Sequence, residues 1–297
     1  MNHSGRILYQ NKKFNLIECE TCNFKHLDPI PSDKELLSYY KKEYFQSAKP
    51  EYLSEDRKEI QHRNIFFDQR LDFFIKNAPG RSLLDIGCGD GLFLERAKER
   101  GFKVYGIEPS EQASSIARSN SLNVFNGTLD SFIKKNEELF DIVHLKNVLE
   151  HVNNPKLVLN ECVKLLKQEG VLYVEVPNDF NPFQVFGSWI NNESKSWICI
   201  PDHINYFNFS SLRKLLLNKK LKILRRDTTF PIYFFLCLKL NFIKNKQLGK
   251  KLHLLRVKLE LFCLKNSLNR FRHLFYRFLS QIGLGRTVIY YAKKVSS

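Results

Sequence analysis

The stretch with the clearest capacity for chemistry is Asp85-Ile86-Gly87-Cys88-Gly89-Asp90-Gly91. An apolar run leads into the first acid, and three glycines then stand at alternate positions. Glycine takes positive φ without strain and leaves no Cβ between the backbone and a ligand. Apolar residues at helical spacing follow from Leu92. The stretch therefore predicts a buried parallel strand, a tight turn that can cradle a ligand, and the start of a helix.

The spacing of these glycines separates two kinds of ligand. Folds that bind dinucleotides use G-x-G-x-x-G and place a pyrophosphate on the helix N-terminus. Here the spacing is G-x-G-x-G, and Asp85 precedes the turn. A carboxylate at that position repels a pyrophosphate but suits a ligand that carries an amine and a sulfonium. The motif therefore favours a cationic adenosine cofactor over a dinucleotide.

Three further segments continue an alternation of strands and helices. Lys103–Glu108 is a short strand pattern whose final acid lies about 20 residues after the turn, where a ribose diol is usually bound. Phe140–Leu145 is another apolar strand pattern. Leu165–Asn178 combines a turn with a further strand. These segments predict a sheet built around the strand that ends at Asp85.

In this order, the four segments resemble the motifs of class I S-adenosylmethionine-dependent methyltransferases of the methyltransferase-23 type, which include members that modify sugars and surface polysaccharides. The resemblance implies S-adenosylmethionine as cofactor and an α/β fold, a Rossmann-like seven-stranded sheet with an antiparallel last strand. It assigns cofactor binding to Asp85, Gly87, Cys88, Gly89, Gly91, Glu108, Pro109, Thr128, Leu129, Lys146 and Tyr44.

Two histidines stand where the resemblance places catalysis. His203 lies in Pro201-Asp202-His203-Ile204-Asn205-Tyr206-Phe207, which resembles a segment of sugar-modifying members in which a histidine acts as base. Histidine titrates near neutral pH and suits removal of a hydroxyl proton. We predict His203 as the catalytic base, oriented by Asp202, and His151 as part of the floor of the site. The alternative for His203 is a structural role in anchoring a lid.

His151 follows Glu150 directly. The pair resembles the E-x-x-E-H motif that can hold a divalent cation in small-RNA 2′-O-methyltransferases and ubiquinone-pathway O-methyltransferases. Asn147 stands in place of the first glutamate, and hard cations favour carboxylate ligands. We therefore predict no metal at this site.

Residues 1–60 are predicted to form an N-terminal extension. It contains one C-x-x-C pair, Cys19 and Cys22, whereas related zinc knuckles carry four cysteines. Tetrahedral zinc needs four ligands, and His26 with His3 makes a poor complement. We predict a degenerate knuckle without metal, followed by a tyrosine-rich helix around Tyr44. Seven scattered cysteines indicate a reduced, cytosolic chain rather than a disulfide framework.

The remaining chain divides by its apolar periodicity. We predict the methyltransferase domain over 61–230 and 286–297, with residues 178–206 as a long loop that acts as a substrate-facing lid. Residues 231–285 are predicted to be a helical insertion before the last strand. The sequence contains neither a run of 18 uncharged apolar residues nor a signal-peptide pattern, so we expect no spanning helix.

The net charge of +16 is concentrated in the insertion. Twelve lysines and arginines between Lys239 and Arg286 are opposed by Glu260 alone. The apolar stripes among them suit an interfacial helix on an anionic membrane, a helical pair packed on the core or on another subunit, or phosphate-backbone binding. Nucleic acid is the least favoured of these partners. Methylation of a nucleobase nitrogen is disfavoured, because Lys146-Asn147-Val148-Leu149 stands where a [DN]-P-P-[YF] motif would follow the strand.

Together these features predict a cytoplasmic enzyme that methylates a hydroxyl of a small molecule or a glycan, such as a sugar of a lipid-linked surface polysaccharide. Residues 231–285 are the candidate for attachment to the inner face of the membrane. The sequence leaves open an RNA 2′-O-methyltransferase, a sugar C-methyltransferase, and a protein that binds the cofactor without catalysis. It also leaves open the oligomeric state.

Overall fold

The computed structural model describes residues 3–32, 34–36, 59–193, 195–219 and 221–295. Its contacts divide the chain into two compact units. Unit 1 comprises Met1–Pro29, Glu175–Lys214 and Arg225–Tyr290. Unit 2 comprises Ile30–Val174, Leu215–Leu224 and Tyr291–Ser297. Each unit groups segments that are far apart in the sequence, and the division into extension, methyltransferase domain and insertion stays a prediction.

The N-terminal segment of unit 1 is an antiparallel meander. Its register pairs Gly5 with Cys19 across the first two strands and Asn15 with Asp28 across the next two. The C-x-x-C pair, Cys19 and Cys22, therefore lies at the turn between the second and third strands, which pair with each other. The predicted tyrosine-rich helix around Tyr44 lies outside the described residues. The strands are β1 (Gly5–Gln10), β2 (Asn15–Cys19) and β3 (Phe24–Asp28).

Unit 2 contains the predicted alternation of strands and helices. The strand before the glycine turn pairs in parallel with its neighbours on both sides, Leu83 opposite Val104 and Ile142. Leu83 and Leu84 are fully buried, as expected of a strand covered on both faces. The elements in this stretch are α1 (Ile60–Asn77), β4 (Ser82–Ile86), α2 (Leu92–Glu99), β5 (Lys103–Glu108), α3 (Glu111–Ser119), β6 (Val124–Asn126), α4 (Leu129–Ile133), β7 (Phe140–Lys146), a 3₁₀ turn (Leu149–His151) and α5 (Pro155–Leu165).

The C-terminal part adds the remaining strands and the helical insertion. The predicted turn at Gln168-Glu169-Gly170 falls inside the first of these strands, where Glu169 keeps a left-handed φ of 63°. The elements are β8 (Leu166–Pro177), α6 (Pro182–Ile190), β9 (Asn205–Tyr206), α7 (Phe209–Leu217), β10 (Leu221–Asp227), α8 (Phe234–Cys237), α9 (Lys246–Lys265), α10 (Asn269–Gln281) and β11 (Thr287–Lys294).

Two sheets are present in the described residues. The large one has seven strands in the order β10-β11-β8-β7-β4-β5-β6, with antiparallel last strands. This order confirms the predicted Rossmann-like fold, in which the last strand enters beside the strand from the fourth motif. The small sheet has the order β1-β2-β3-β9.

The predicted long loop over 178–206 is wrong in one respect, because it contains helix α6. Asn181 caps this helix by accepting from the backbone N–H of Gln184, and the Gln184 side chain accepts in return from the backbone N–H of Asn181. Pro182 occupies the first turn, where its missing N–H costs nothing. The Asn-Pro-x-Gln sequence was a helix-start signal that the abundance of polar and aromatic residues obscured.

The insertion is helical, as predicted, and ends in a pair of helices. We call residues 246–281, which comprise α9 and α10, the basic hairpin. Its acid, Glu260, is buried and accepts a 2.6 Å hydrogen bond from the hydroxyl of Tyr276. Among the described residues, no helix is both long enough and apolar enough to cross a membrane.

Candidate functional site

The glycine turn is held at the ends of two parallel strands. The backbone N–H groups of Gly87 and Cys88 both donate to the carbonyl of Ile107, at 2.8 and 3.1 Å. Gly87, Gly89 and Gly91 have φ values of 73°, 58° and 86°. This left-handed backbone explains why glycine recurs at alternate positions.

The three glycines differ in what a side chain would meet. A Cβ on Gly87 would lie 2.8 Å from Val148, and a Cβ on Gly91 would lie 2.4 Å from Leu122. A Cβ on Gly89 would meet no atom of the described residues within 4 Å. Gly87 and Gly91 are therefore required by packing. Gly89 faces open space, which is the arrangement needed for a ligand to approach the backbone.

Glu108 connects this turn to the end of β5. One of its carboxylate oxygens accepts from the backbone N–H of Gly89 and the other from that of Ser110, both at 2.9 Å. Burial raises the pKa of Glu108 to about 7, although the two backbone hydrogen bonds oppose the shift. The predicted ribose acceptor thus lies beside the open position at Gly89.

Asp85 is held by a buried histidine that the sequence analysis did not assign a role. His144 lies opposite Asp85 in the parallel register, and its Nδ1 is 2.5 Å from an Asp85 carboxylate oxygen. The Arg70 guanidinium is 2.8 Å from His144 Nε2. Because arginine can only donate, Nε2 accepts and Nδ1–H donates to Asp85. The network fixes both the tautomer of His144 and the position of the motif acid.

Aromatic rings enclose this network. The imidazole of His144 stacks on Phe93 at 4.4 Å and on Tyr173 at 4.7 Å between ring centroids. The guanidinium of Arg70 lies over the Tyr173 ring at 4.3 Å. A histidine at the fifth position of an apolar strand, in register with a motif acid, was the available sequence signal.

The other predicted cofactor residues occupy different environments. Cys88 is buried, and burial with the nearby Asp85 carboxylate raises the pKa of its thiol well above the usual range, so the thiol stays protonated. Thr128 is the N-cap of α4, where its hydroxyl accepts from the backbone N–H of Ser131. Pro109, Leu129 and Lys146 are half-buried at the ends of strands or at a helix start. Tyr44 lies outside the described residues.

The predicted catalytic residues belong to two units of the chain. In unit 2, His151 and Glu150 are both buried, and His151 Nε2 lies 3.9 Å from Glu150 Oε1. In unit 1, Asp202 and His203 are half-buried in a turn that precedes β9. The backbone N–H of His203 donates to the carbonyl of Cys199 at 2.7 Å, which closes that turn.

A comparison with protein families decides the class of this chain. The methyltransferase-23 family, described as a methyltransferase domain, matches residues 57–225. The chain belongs to this family. Membership confirms the predicted methyltransferase class, whose cofactor is S-adenosylmethionine, and covers all four motif segments.

Curated relatives of this methyltransferase are ubiquinone biosynthesis O-methyltransferases. The protein of Yersinia enterocolitica is 29% identical over 138 residues, which are 43% of this chain and 52% of the relative. The protein of Glaesserella parasuis is 38% identical over 109 residues, 33% of this chain and 46% of the relative. The methyltransferase thus spans about half the length of the curated relatives that it matches.

Solved structures share the fold of this methyltransferase. A plantazolicin methyltransferase in complex with SAH has a TM-score of 0.54 at 16% identity, and the match covers 88% of this chain and 94% of that one. The magnesium protoporphyrin IX methyltransferase of Synechocystis with bound SAH has a TM-score of 0.54 at 13% identity, with 89% and 100% coverage.

The buried network behind Asp85 gives a stability prediction. Substituting phenylalanine for His144 keeps the aromatic stacking but leaves the charges of Asp85 and Arg70 without the ring between them. We expect the free energy of unfolding, measured by urea denaturation, to fall by about 3–5 kcal/mol. The double variant with Arg70→Met should lose less than the sum of the single variants, since residues of one network are coupled. Additive losses would show that the three side chains act independently.

The raised pKa of Glu108 gives a pH prediction. The carboxylate form accepts hydrogen bonds from hydroxyl groups, and it prevails only above the folded-state pKa of about 7. Affinity for S-adenosylmethionine, measured by calorimetry, should therefore fall about tenfold from pH 8 to pH 6. The stability of the protein without ligand changes in the opposite direction. Because the carboxyl ionises near pH 4.5 in the unfolded chain, the free energy of unfolding falls as the pH rises from about 4.5 to 7. In a Glu108→Gln variant, affinity for S-adenosylmethionine should not change between pH 6 and pH 8. If the pH dependence persists in that variant, another group causes it.

Proposed function

We propose that this methyltransferase transfers the methyl group of S-adenosylmethionine to a hydroxyl of a small molecule held at a membrane surface. The observation that carries the transfer is the glycine turn, which is open at Gly89 and flanked by the Glu108 carboxylate. The hydroxyl acceptor is supported by the names of the curated relatives, which are O-methyltransferases. The two curated relatives described above are named for ubiquinone biosynthesis and not for a glycan. Sugars are therefore included among the acceptors to be tested.

The chain's own residues have separate tasks in this proposal. The backbone at Gly89 admits the cofactor, and Glu108 accepts hydrogen bonds from its ribose hydroxyls. When bound, the cofactor supplies a methyl group activated by a sulfonium. Alignment of the acceptor oxygen with that methyl is the main requirement for the reaction. His203 takes the proton from the acceptor hydroxyl, and Asp202 orients the imidazole as its sequence neighbour.

The transfer is tested with radiolabelled S-adenosylmethionine and a panel of acceptors. The panel contains catechols and ubiquinol precursors that lack one O-methyl group, nucleotide-linked and lipid-linked sugars, and RNA. We expect label on a hydroxyl of a phenolic or lipid-linked acceptor, released by treatment that cleaves ethers. Label attached to carbon, or label in RNA alone, contradicts the proposal. The Gly89→Asn variant serves as the control without cofactor binding.

The membrane surface is proposed from the exposed face of the basic hairpin. Lysines and arginines are exposed along both helices, whereas the acid of the hairpin is buried, so its outer charge is positive. Large apolar side chains are exposed among them. These are Leu254, Leu255, Leu259, Phe262, Leu264, Leu268, Phe271, Leu274, Phe275 and Phe278.

Helix α6 of unit 1 also supports this assignment. Trp189 on α6 is 75% exposed and stacks on Phe186, which is itself half exposed, at 5.8 Å. Helix α6 packs on α8, where the Asn191 amide donates to the carbonyl of Leu236 at 2.8 Å. Tryptophan is enriched at membrane interfaces because its ring is apolar and its N–H is polar. Exposed apolar side chains with cationic neighbours are typical of helices that lie on anionic lipid.

Binding to vesicles provides the test. Each basic residue near an anionic surface contributes roughly 1 kcal/mol, and salt screens the attraction. We expect co-sedimentation with phosphatidylglycerol vesicles at low salt and little with phosphatidylcholine vesicles. Arg270→Glu with Arg277→Glu should weaken binding at least tenfold, since it reverses two exposed charges.

A control variant distinguishes insertion of apolar side chains into lipid from non-specific adsorption. Phe271→Ser with Phe275→Ser should make binding to anionic vesicles fully reversible by salt. Leu157→Ser on α5, which removes an equally exposed apolar side chain, should leave binding unchanged. Equal recovery with both types of vesicle contradicts the membrane assignment. A dimer that dissociates in the Phe271→Ser, Phe275→Ser variant would assign the face to a second copy of the chain.

A further inference from the structure

Two cysteines and two histidines meet at the N-terminal meander of unit 1. Cys19 ends β2, Cys22 lies in the turn that follows, and His26 lies on β3. His3 precedes β1, which pairs with β2. One nitrogen or sulfur atom of each of these side chains lies within 4.8 Å of those of the other three. Strand pairing thus completes a four-ligand set from a C-x-x-C pair that lacks a second pair in the sequence.

From this geometry we propose that His3, Cys19, Cys22 and His26 bind a structural zinc ion. Nδ1 of His3 lies 3.6 Å from the sulfur of Cys19 and 3.4 Å from that of Cys22. A tetrahedral zinc ion with Zn–S bonds of about 2.3 Å and Zn–N bonds of about 2.0–2.1 Å separates its sulfur and nitrogen ligands by roughly 3.5 Å. The two distances from His3 Nδ1 to the cysteine sulfurs therefore match those of a tetrahedral zinc site.

Surrounding hydrogen bonds prepare two of the ligands. Nδ1 of His26 is 2.8 Å from the carbonyl of Leu27. Since a carbonyl only accepts, Nδ1 carries the proton, and Nε2 presents its lone pair as the ligand atom. A backbone carbonyl on the second ring nitrogen is the usual support of a histidine bound to metal. The backbone N–H of Cys22 donates to the sulfur of Cys19 at 3.3 Å, which fixes the position of that sulfur in the turn.

The ligand types select zinc and a structural role. Two sulfurs and two imidazole nitrogens in a tetrahedral arrangement favour zinc over hard cations, which prefer oxygen. Four protein ligands leave no open position for a substrate or water, as in structural sites. The proposal departs from the metal-free knuckle predicted from sequence, because the two histidines are brought together with the cysteines by antiparallel pairing.

The position of the site indicates what the metal stabilises. His26 is opposite Asn205 of β9 in the antiparallel register. The backbone N–H of the adjacent Leu27 donates to the carbonyl of Ile204 at 2.9 Å. A metal on His26 therefore fastens the strand to which the segment after His203 is paired. Loss of the metal should loosen this small sheet before it affects the sheet that carries the glycine turn.

Metal content and coordination spectra test the proposal. The full chain, purified under reducing conditions from cells grown with zinc, should contain about one zinc ion per chain, as expected of a single four-ligand site. Replacement by cobalt(II) should give the visible absorption and the thiolate charge-transfer bands of tetrahedral coordination. Cys22→Ser and His26→Asn should each lower zinc content severalfold. Cys263→Ser and His253→Asn, at half-buried positions on α9, should retain it.

Removal of the ion from the wild-type chain covers the case in which the ligand variants fail to fold. A chelator should lower the melting temperature, and added zinc should restore it. A reduced wild-type chain that contains no zinc and takes up neither zinc nor cobalt overturns the proposal. Zinc that is retained when Cys19→Ser and Cys22→Ser are combined also overturns it. Binding of S-adenosylmethionine by the metal-depleted chain distinguishes a failure of this site from a failure of the proposed function.

Discussion

Substitution of asparagine for Gly89 should abolish calorimetrically detectable binding of S-adenosylmethionine while the chain stays folded. The Cβ of residue 89 points into space where the described part of the chain has no atom within 4 Å, so we expect a side chain there to meet the ligand. Asparagine tolerates the left-handed φ of 58° at this position far better than a β-branched residue such as valine. We expect affinity to fall by at least a factor of about 100, which corresponds to roughly 2.7 kcal/mol.

The chain contains a matched control for backbone strain. Gly283 also has a left-handed φ, of 77°, and a Cβ there would likewise meet nothing within 4 Å among the residues that the structure describes. Gly283→Asn introduces the same side chain on the same kind of backbone, outside the glycine turn. It should bind S-adenosylmethionine like the wild type. Normal affinity in Gly89→Asn, or equal losses in both variants, would remove the cofactor assignment from the turn.

Substitution of alanine for His203 should lower turnover by about 10²–10⁴-fold, the usual scale for loss of a general base. Affinity for S-adenosylmethionine should stay within about twofold, because His203 is assigned to the acceptor proton and not to the cofactor. The measurement is the steady-state rate on the acceptor identified in the labelling panel, with cofactor affinity determined separately by calorimetry.

The pH profile distinguishes a base from a structural histidine. At saturating S-adenosylmethionine, where the pH dependence of cofactor affinity no longer affects the rate, the wild-type rate should rise with pH through the pKa of an imidazole, and in His203→Ala this rise should disappear. His253→Ala, a change at a half-buried histidine of α9, should keep both rate and profile. A His203→Ala enzyme with full turnover, or one whose lower rate keeps the wild-type pH profile, would reduce His203 to an anchor of the turn that it closes with Cys199.

Features that depend on neighbouring residues were determined by the sequence itself. Glycines at 87, 89 and 91 permit a left-handed turn that most other residues would adopt only with strain. The continuous apolar run at Leu83 and Leu84 dictates a strand buried on both faces. The helical spacing of apolar residues likewise predicted α2, which begins at Leu92, and the helical insertion before the last strand. These are local patterns, and their periodicity carries the information.

Features that depend on pairing between distant segments required the tertiary structure. His144 reaches Asp85 because two parallel strands align them, and Arg70 reaches His144 from helix α1. Helix α6 also depends on a distant segment. Its N-cap can be recognised from adjacent residues, but α8, on which it packs, lies far along the chain.

The N-terminal meander shows this limit most directly. The spacing of Cys19 and Cys22 is local and was visible in the sequence. His3 and His26 join them only because β1 and β3 flank β2 in an antiparallel sheet, whose register aligns side chains that the linear chain keeps apart. Strand register is set by the burial of whole faces and not by any single residue. The sequence by itself therefore determined the family and the cofactor turn, whereas tertiary pairing decided which polar side chains meet.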